Sequence, residues 1–164
     1  PTQWLIIDLI FIIASITDKL DGYLARKNNQ VTTFGKFLDP LADKILVLSA
    51  MMMLVEMSKL PAWIPIIVLA REFVISGYRL IAVEKGGKVI AASKWGKIKT
   101  VTQMLAIILA FLDLNAFGEC FSGVLQGGDL VLNLIVTLLM IIQVIATIFS
   151  GIDYMKGSKK YIKD

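Results

Sequence analysis

Histidine is absent from this chain of 164 residues, cysteine occurs once, at Cys120, and charged residues make up only 18% of the total. Each scarcity closes off a chemistry. Without imidazole, a proton has to be handled by Asp, Glu, Lys or Tyr, and a zinc site of the histidine–cysteine kind is excluded. A single cysteine cannot form an internal disulfide. So few charged residues leave no polar linker between domains, and the chain reads as one domain over residues 1–164.

What is present is apolar. Hydrophobic residues make up 57% of the chain and the mean hydropathy is +0.75, well beyond an ordinary soluble domain. Five runs reach the roughly 20 residues that cross a bilayer: 4–26, 39–57, 61–83, 94–113 and 129–152. These predict an all-α integral membrane protein, a bundle of five transmembrane helices. The net charge of +4 does not mark a nucleic-acid binder, because the basic residues alternate from one end of successive spans to the next. Arg26, Lys27 and Lys36 follow the first run, Arg79, Lys85, Lys88, Lys94, Lys97 and Lys99 surround the third connection, and Lys156, Lys159, Lys160 and Lys163 form the tail. The opposite ends carry Lys59 alone, among the acids Glu56, Asp113, Glu119 and Asp129. Positive charge stays on the cytoplasmic side of a membrane, so the connection after the first span and the third connection face the cytoplasm and Pro1 lies outside. That orientation predicts a further span before Pro1, six in the native protein.

The chemistry-bearing stretch is 18–44, D-K-L-D-G-Y-L-A-R-K-N-N-Q-V-T-T-F-G-K-F-L-D-P-L-A-D-K. Asp18 and Asp21 are three residues apart and Asp39 and Asp43 four apart, so each pair shares one helix face. Gly22 and Ala25 continue the first face and Gly35 lies a turn before Asp39, small residues that let two helices approach. Carboxylates at membrane depth cost about 2.5 kcal/mol or more each unless a cation joins them. An all-oxygen donor set selects a hard ion, Mg²⁺ or Mn²⁺ with Ca²⁺ as an alternative. Four carboxylates are enough for two such ions, the arrangement used in phosphoryl displacement. The plainer reading pairs the aspartates with Lys19, Arg26, Lys36 and Lys44 as solvated helix ends.

The pattern D-x-x-D-G-x-x-A-R-x8-G-x-x-x-D-x-x-x-D, met by Asp18, Asp21, Gly22, Ala25, Arg26, Gly35, Asp39 and Asp43, resembles the signature of the CDP-alcohol phosphotransferases, membrane enzymes of phospholipid synthesis. R-E-F-x-x-S-G-x-R from Arg71 to Arg79 and S-K-x-G-K-x-K-T from Ser93 to Thr100 are similar to the bacterial phosphatidylglycerophosphate synthase branch of that family. The resemblance covers roughly residues 15–100. It implies transfer of the phosphatidyl group from CDP-diacylglycerol to sn-glycerol 3-phosphate, with release of CMP, at the cytoplasmic face of a bacterial cell membrane. Asp18, Asp21, Asp39 and Asp43 would bind two Mg²⁺ or Mn²⁺ ions, and Asp43 would also be the base. Asp18, Gly22, Ala25, Arg26 and Gly35 would bind the CDP moiety. The family is commonly dimeric and commonly has six spans, which agrees with a missing N-terminal helix. Charge placement together with the resemblance assigns the acceptor phosphate to Arg71, Arg79, Lys94 and Lys97, since arginine's fork suits a phosphate. Inositol phosphate is an alternative acceptor, and a cation transporter using the intramembrane carboxylates is the alternative outside the family.

Several smaller expectations complete the reading. Asp8, an acid within L-I-I-D-L-I-F, is expected to pair with an intramembrane base or a subunit neighbour, Arg71 being a possible partner. Glu72 points away from the face shared by Arg71 and Arg79 and is left to satisfy a neighbouring base. Ser93, Lys94, Lys97 and Thr100 are spaced to line one side of the fourth helix. The fifth span ends near residues 151–154, with the lysine tail as an interface anchor. The methionines read as packing residues. The loop 113–129 carries no chemistry that can be named.

Overall fold

Along each apolar run, the positions that become buried recur every three or four residues. A computed structural model shows the consequence: α1 (Thr2–Lys27), α2 (Thr33–Glu56), α3 (Trp63–Glu84), α4 (Lys94–Leu112) and α5 (Gly127–Ile162), with one short 3-10 turn, Glu119–Phe121, before α5. The structure describes residues 2–27, 33–84 and 94–162, with side chains except at 2–4, 18–19, 22, 25–26, 33–40, 79–80, 82–84, 94 and 157–162. Among the described residues there is no strand, and the all-α expectation holds.

α4 is the central helix. It packs against α1, α2 and α5, while α3 leans on α5 and α2. Its inward stripe runs Lys99, Gln103, Ala106, Ile107, Ala110 and Phe111, all buried, at the spacing of one helix face. Ala106 and Ala110 bring neighbours close; Met51 and Leu54 of α2, Ile64 and Val68 of α3 and Met140 of α5 complete the same core. Gln103 donates from Nε2 to the Met51 sulfur at 3.3 Å. Phe11 of α1 meets Phe111 with ring centroids 6.5 Å apart. Met51 and Met140 are packing residues, as expected, whereas Met52 is exposed.

The outward faces are as apolar as the core. Ile6, Ile10, Ile13, Ile66, Phe73, Val101, Leu138 and Phe149 all stand exposed, an apolar outer surface of the size that marks an interaction with a partner or a membrane. Among the described residues, two helices are long and apolar enough to cross a membrane, through Trp95–Leu112 (mean hydropathy 1.3) and Gly127–Lys156 (mean hydropathy 2.5), and α1 adds the shorter apolar stretch Leu5–Thr17. Trp63 packs edge-on to Phe117 at one end of the bundle, and Trp95 stacks on Phe149 near the other.

One boundary differs from the sequence reading. α5 does not stop near residues 151–154 but continues to Ile162, 36 residues in all, or about 54 Å. Gly151 and Gly157 are its only weak points past the apolar stretch, and neither is followed by a proline, so nothing ends the helix there. α2 likewise runs through Pro40 without interruption.

Candidate functional site

Two polar clusters interrupt the apolar bundle. The first lies at the end where α2 meets α3 and α4 ends. Lys59, buried in the α2–α3 turn, donates from Nζ to the carbonyls of Ala110 (3.3 Å) and Phe111 (3.2 Å), which α4 leaves without helical partners. The charges of Asp8 and Asp113 face the same ammonium. Burial holds Lys59 below its usual range, and the two carboxylates oppose that shift. Asp113 accepts from Asn115 N and Nδ2 at 3.0 Å each through Oδ1, and from Asn133 Nδ2 at 2.8 Å through Oδ2. Asn133 in turn donates to Ala116 O (2.9 Å) and accepts from Cys120 N (2.8 Å), so the loop after α4 is tied down to α5. Gly118 makes this turn at φ 79°, and its N–H donates to Thr137 Oγ1 at 3.1 Å. The loop's polar residues are structural. Asp8 does not meet Arg71: its nearby cation is Lys59 of the turn, and Arg71 is engaged by Glu72 and Ser150.

The second cluster lies deeper, where α2, α3, α4 and α5 face one another. Glu72 of α3 is its centre. Its Oε1 accepts from Arg71 Nη1 at 2.7 Å and from Lys99 Nζ of α4 at 2.8 Å, and its Oε2 lies 3.5 Å from Lys44 Nζ of α2. Lys44 also donates to Ser76 Oγ at 2.8 Å, and Arg71 Nη2 donates to Ser150 Oγ of α5. One carboxylate therefore joins α2, α3 and α4, and Arg71 extends the cluster to α5. The charge of Asp43 also reaches Lys99. Glu72 and Arg71 are only 15% and 16% exposed and Lys99 9%, whereas Lys44 is 34% exposed. The cluster thus opens toward α2, where Ala42 and Asp43 stand exposed, with Ser76 of α3 exposed beside Lys44.

The expected site residues are carried by α1, α2, α3 and α4. α1 is helical through Asp18, Asp21, Gly22, Ala25 and Arg26, and α2 through Gly35, Asp39 and Asp43, and the two helices pack together. Asp21 and Asp43 are exposed. The side chains of Asp18, Gly22, Ala25, Arg26, Gly35 and Asp39 lie outside the described residues, as do those of Arg79 near the end of α3 and Lys94 at the start of α4. Among the described residues, which do not include the side chains of Asp18 and Asp39, no three acidic or sulfur ligands converge. The donors available on α1 and α2 are carboxylate oxygens, the chemistry of Mg²⁺ or Mn²⁺.

Arg71 joins the cluster, but Lys97 is exposed on α4, and it is Lys99 that reaches Glu72. Neither Glu72 nor Lys99 was among the expected site residues. Both carried a signal: an acid inside the apolar stretch of α3 needs a cation, and Lys99 shares the face of Gln103 and Ala106. Glu72 does satisfy a neighbouring base, Lys99, as expected, but it does not point away from Arg71: the two adjacent side chains bind each other.

A model of the CDP-alcohol phosphatidyltransferase family matches residues 1–150. The chain belongs to that family. It is 54% identical over 99 residues to a protein of Bacillus subtilis named CDP-diacylglycerol–glycerol-3-phosphate 3-phosphatidyltransferase, a match covering 60% of this chain and 51% of that protein. Proteins of the same name from Haemophilus influenzae and Rickettsia felis are 41% identical over 160 residues and 38% over 154, covering 95% and 93% of this chain and 78% of each relative. The chain thus spans about half the length of the Bacillus relative in the matched region.

Proposed function

We propose that this phosphatidyltransferase moves the phosphatidyl group of CDP-diacylglycerol to sn-glycerol 3-phosphate and releases CMP. The observation that carries the reading is the pairing of unlike charge at one opening. Asp43 of α2 stands beside a cluster in which Lys44, Arg71 and Lys99 meet Glu72, so that among the described residues three cations face two carboxylates. The acidic side suits a metal-bound diphosphate, and the cationic side suits an acceptor that itself carries a phosphate. The names of the relatives point to the same donor and acceptor.

Asp18, Asp21, Asp39 and Asp43 would hold two Mg²⁺ or Mn²⁺ ions, which when bound neutralise the diphosphate charge as it is displaced. Asp18, Gly22, Ala25, Arg26 and Gly35 would seat the CDP group, with Gly22 and Ala25 leaving room for the cytidine. Asp43 takes the proton from the acceptor hydroxyl. The hydroxyl oxygen bonds to the lipid-side β-phosphorus, and the bond to the bridging oxygen breaks, its electron pair leaving with CMP. Arg71, Arg79, Lys94 and Lys97 would fix the acceptor's phosphate. The five helices would span a bacterial cell membrane as a bundle, with the opening on the cytoplasmic side and the acyl chains in lipid; a homodimer is the assembly we expect.

The test is CMP release from CDP-diacylglycerol by the purified protein, with glycerol 3-phosphate, inositol phosphate or no acceptor. Release that needs Mg²⁺ or Mn²⁺ and glycerol 3-phosphate supports the reading. Release with inositol phosphate alone would reassign the acceptor, and no release from a folded full-length protein would favour ion transport.

A further inference from the structure

Three cations packed at one carboxylate repel one another, so the carboxylate decides whether they stay together. Lys99 and Arg71 bind the same oxygen of Glu72, and Lys44 lies at the other. Each also has a second tether or a neighbouring charge: Lys44 has Ser76, Arg71 has Ser150, and Lys99 faces Asp43. The Ser76 tether still joins α2 to α3, so a shift of Glu72 would free Lys99 of α4 from α3 and let the three cations separate. Donors are left over. Arg71 Nε is buried with no partner, and an ammonium such as that of Lys99 has more N–H groups than Glu72 engages. A buried guanidinium with an idle N–H, beside two ammonium groups, is poised for a further anion rather than satisfied by the fold.

We propose that Glu72 is a positioning residue for acceptor recognition: its carboxylate gathers Lys44, Arg71 and Lys99 from three helices into one cluster beside Asp43, and that gathered charge sets the affinity for an acceptor bearing a phosphate. Glu72, itself an anion, does not touch that phosphate. It acts by holding the cations in a shared direction. The inference rests on the phosphatidyl-transfer reading and adds to it a residue and a division of labour. Asp43 governs turnover, whereas Glu72 governs how tightly the acceptor is held.

The experiment compares the parent with Glu72→Gln, Glu72→Asp and Ser150→Ala, each purified full-length in detergent. KM and kcat are read separately for glycerol 3-phosphate and for CDP-diacylglycerol. A second readout needs no turnover: the rise in unfolding temperature given by glycerol 3-phosphate in EDTA, with glycerol as the control lacking phosphate. For Glu72→Gln the KM for glycerol 3-phosphate should rise about tenfold or more, the ligand-induced shift should shrink, and the KM for CDP-diacylglycerol should stay within about twofold. Glu72→Asp, which keeps the charge, should recover some of the loss. Ser150→Ala frees one arm of Arg71 without altering any charge, so it keeps the test alive if the glutamate variants do not fold; its KM for glycerol 3-phosphate should rise about threefold. The proposal is overturned if Glu72→Gln binds glycerol 3-phosphate as the parent does. It is equally overturned if both KM values and kcat deteriorate together in Glu72→Gln and Ser150→Ala leaves every constant unchanged, the outcome of a purely structural network. A parent that releases CMP only with a different acceptor defeats the function reading instead, and the EDTA measurement still decides whether Glu72 matters for a phosphate.

Discussion

Lys59→Met is the perturbation whose size the structure determines most directly. Lys59 is 6% exposed, and its ammonium closes the end of α4 through two carbonyls while facing two carboxylates. Methionine keeps the stem's volume and removes the charge. Asp113 would keep its three hydrogen bonds from Asn115 and Asn133 and lose little. Asp8 has no such cover, since its Oδ1 is already buried without a hydrogen-bond partner, and the two α4 carbonyls would lose a charged donor. Hydrogen bonds to a charged group contribute about 1.5–3 kcal/mol and breaking a buried ion pair costs about 3–5, so a loss of about 2–4 kcal/mol is expected here. For a chain of this length that lowers Tm by about 4–16 °C. The assay is thermal unfolding in detergent, followed by tryptophan fluorescence. Adding Asp8→Asn should return about half of the loss, because it removes the carboxylate that Lys59 had balanced. The pH dependence has a definite sign. A lysine held below its unfolded value binds fewer protons folded than unfolded, so this contribution raises stability as pH climbs from the folded value toward about 10.4, and Lys59→Met should lack that rise. A Tm for Lys59→Met within about 2 °C of the parent, or no recovery on adding Asp8→Asn, would refute the argument.

Three further outcomes follow from the same reasoning. Asp43→Asn, exposed on α2, should lower kcat about 10²–10⁴-fold while Tm stays near the parent's; a kcat within tenfold in a steady-state CMP assay would remove Asp43 as the base. Arg79→Ala should raise the KM for glycerol 3-phosphate about tenfold or more with little change in the KM for CDP-diacylglycerol, and an unchanged value would remove Arg79 from the acceptor site. Ile64→Ala and Ile66→Ala test the lipid-facing assignment: Ile64 is wholly buried and should cost about 2–5 kcal/mol, whereas Ile66, 62% exposed, should stay within about 0.5. Equal losses at the two positions would mean that the outward face of α3 is packed against protein.

The helices were legible because an apolar run of about 20 residues with its charges at the ends has few alternatives. The family was legible because eight positions from Asp18 to Asp43 are fixed at helical spacing. The partners of buried charges were not legible. Asp8 could be assigned to Arg71 by depth alone, but depth does not give azimuth: Arg71 turns into the bundle toward Ser150, and the side chain of Lys59 enters from a turn that a span-by-span reading treats as solvent. Lys97 and Lys99 show the same limit. Both sit in the basic start of α4, and only the inward stripe through Gln103 and Ala106 distinguishes the buried lysine from the exposed one.

The two clusters also differ in how their charge is arranged, and that difference bears on function. At the turn cluster, one ammonium faces two carboxylates, and the second of them is closed off by asparagines that also hold the loop. Such a set has no charge to offer an anion, and its hydrogen bonds run between segments that need tying. At the deeper cluster the excess is of the opposite sign: among the described residues three cations meet Glu72 and the nearby charge of Asp43, inside an apolar bundle where buried positive charge is costly. Stability alone would favour replacing one of those cations by an apolar side chain, as buried ion networks commonly tolerate. Their retention in a bundle otherwise sealed by Met51, Ile64, Ile107 and Met140 makes sense if an anion completes the set during the reaction cycle. A phosphate-bearing acceptor beside Asp43 would do so, and it would leave once its hydroxyl has been incorporated into the lipid product.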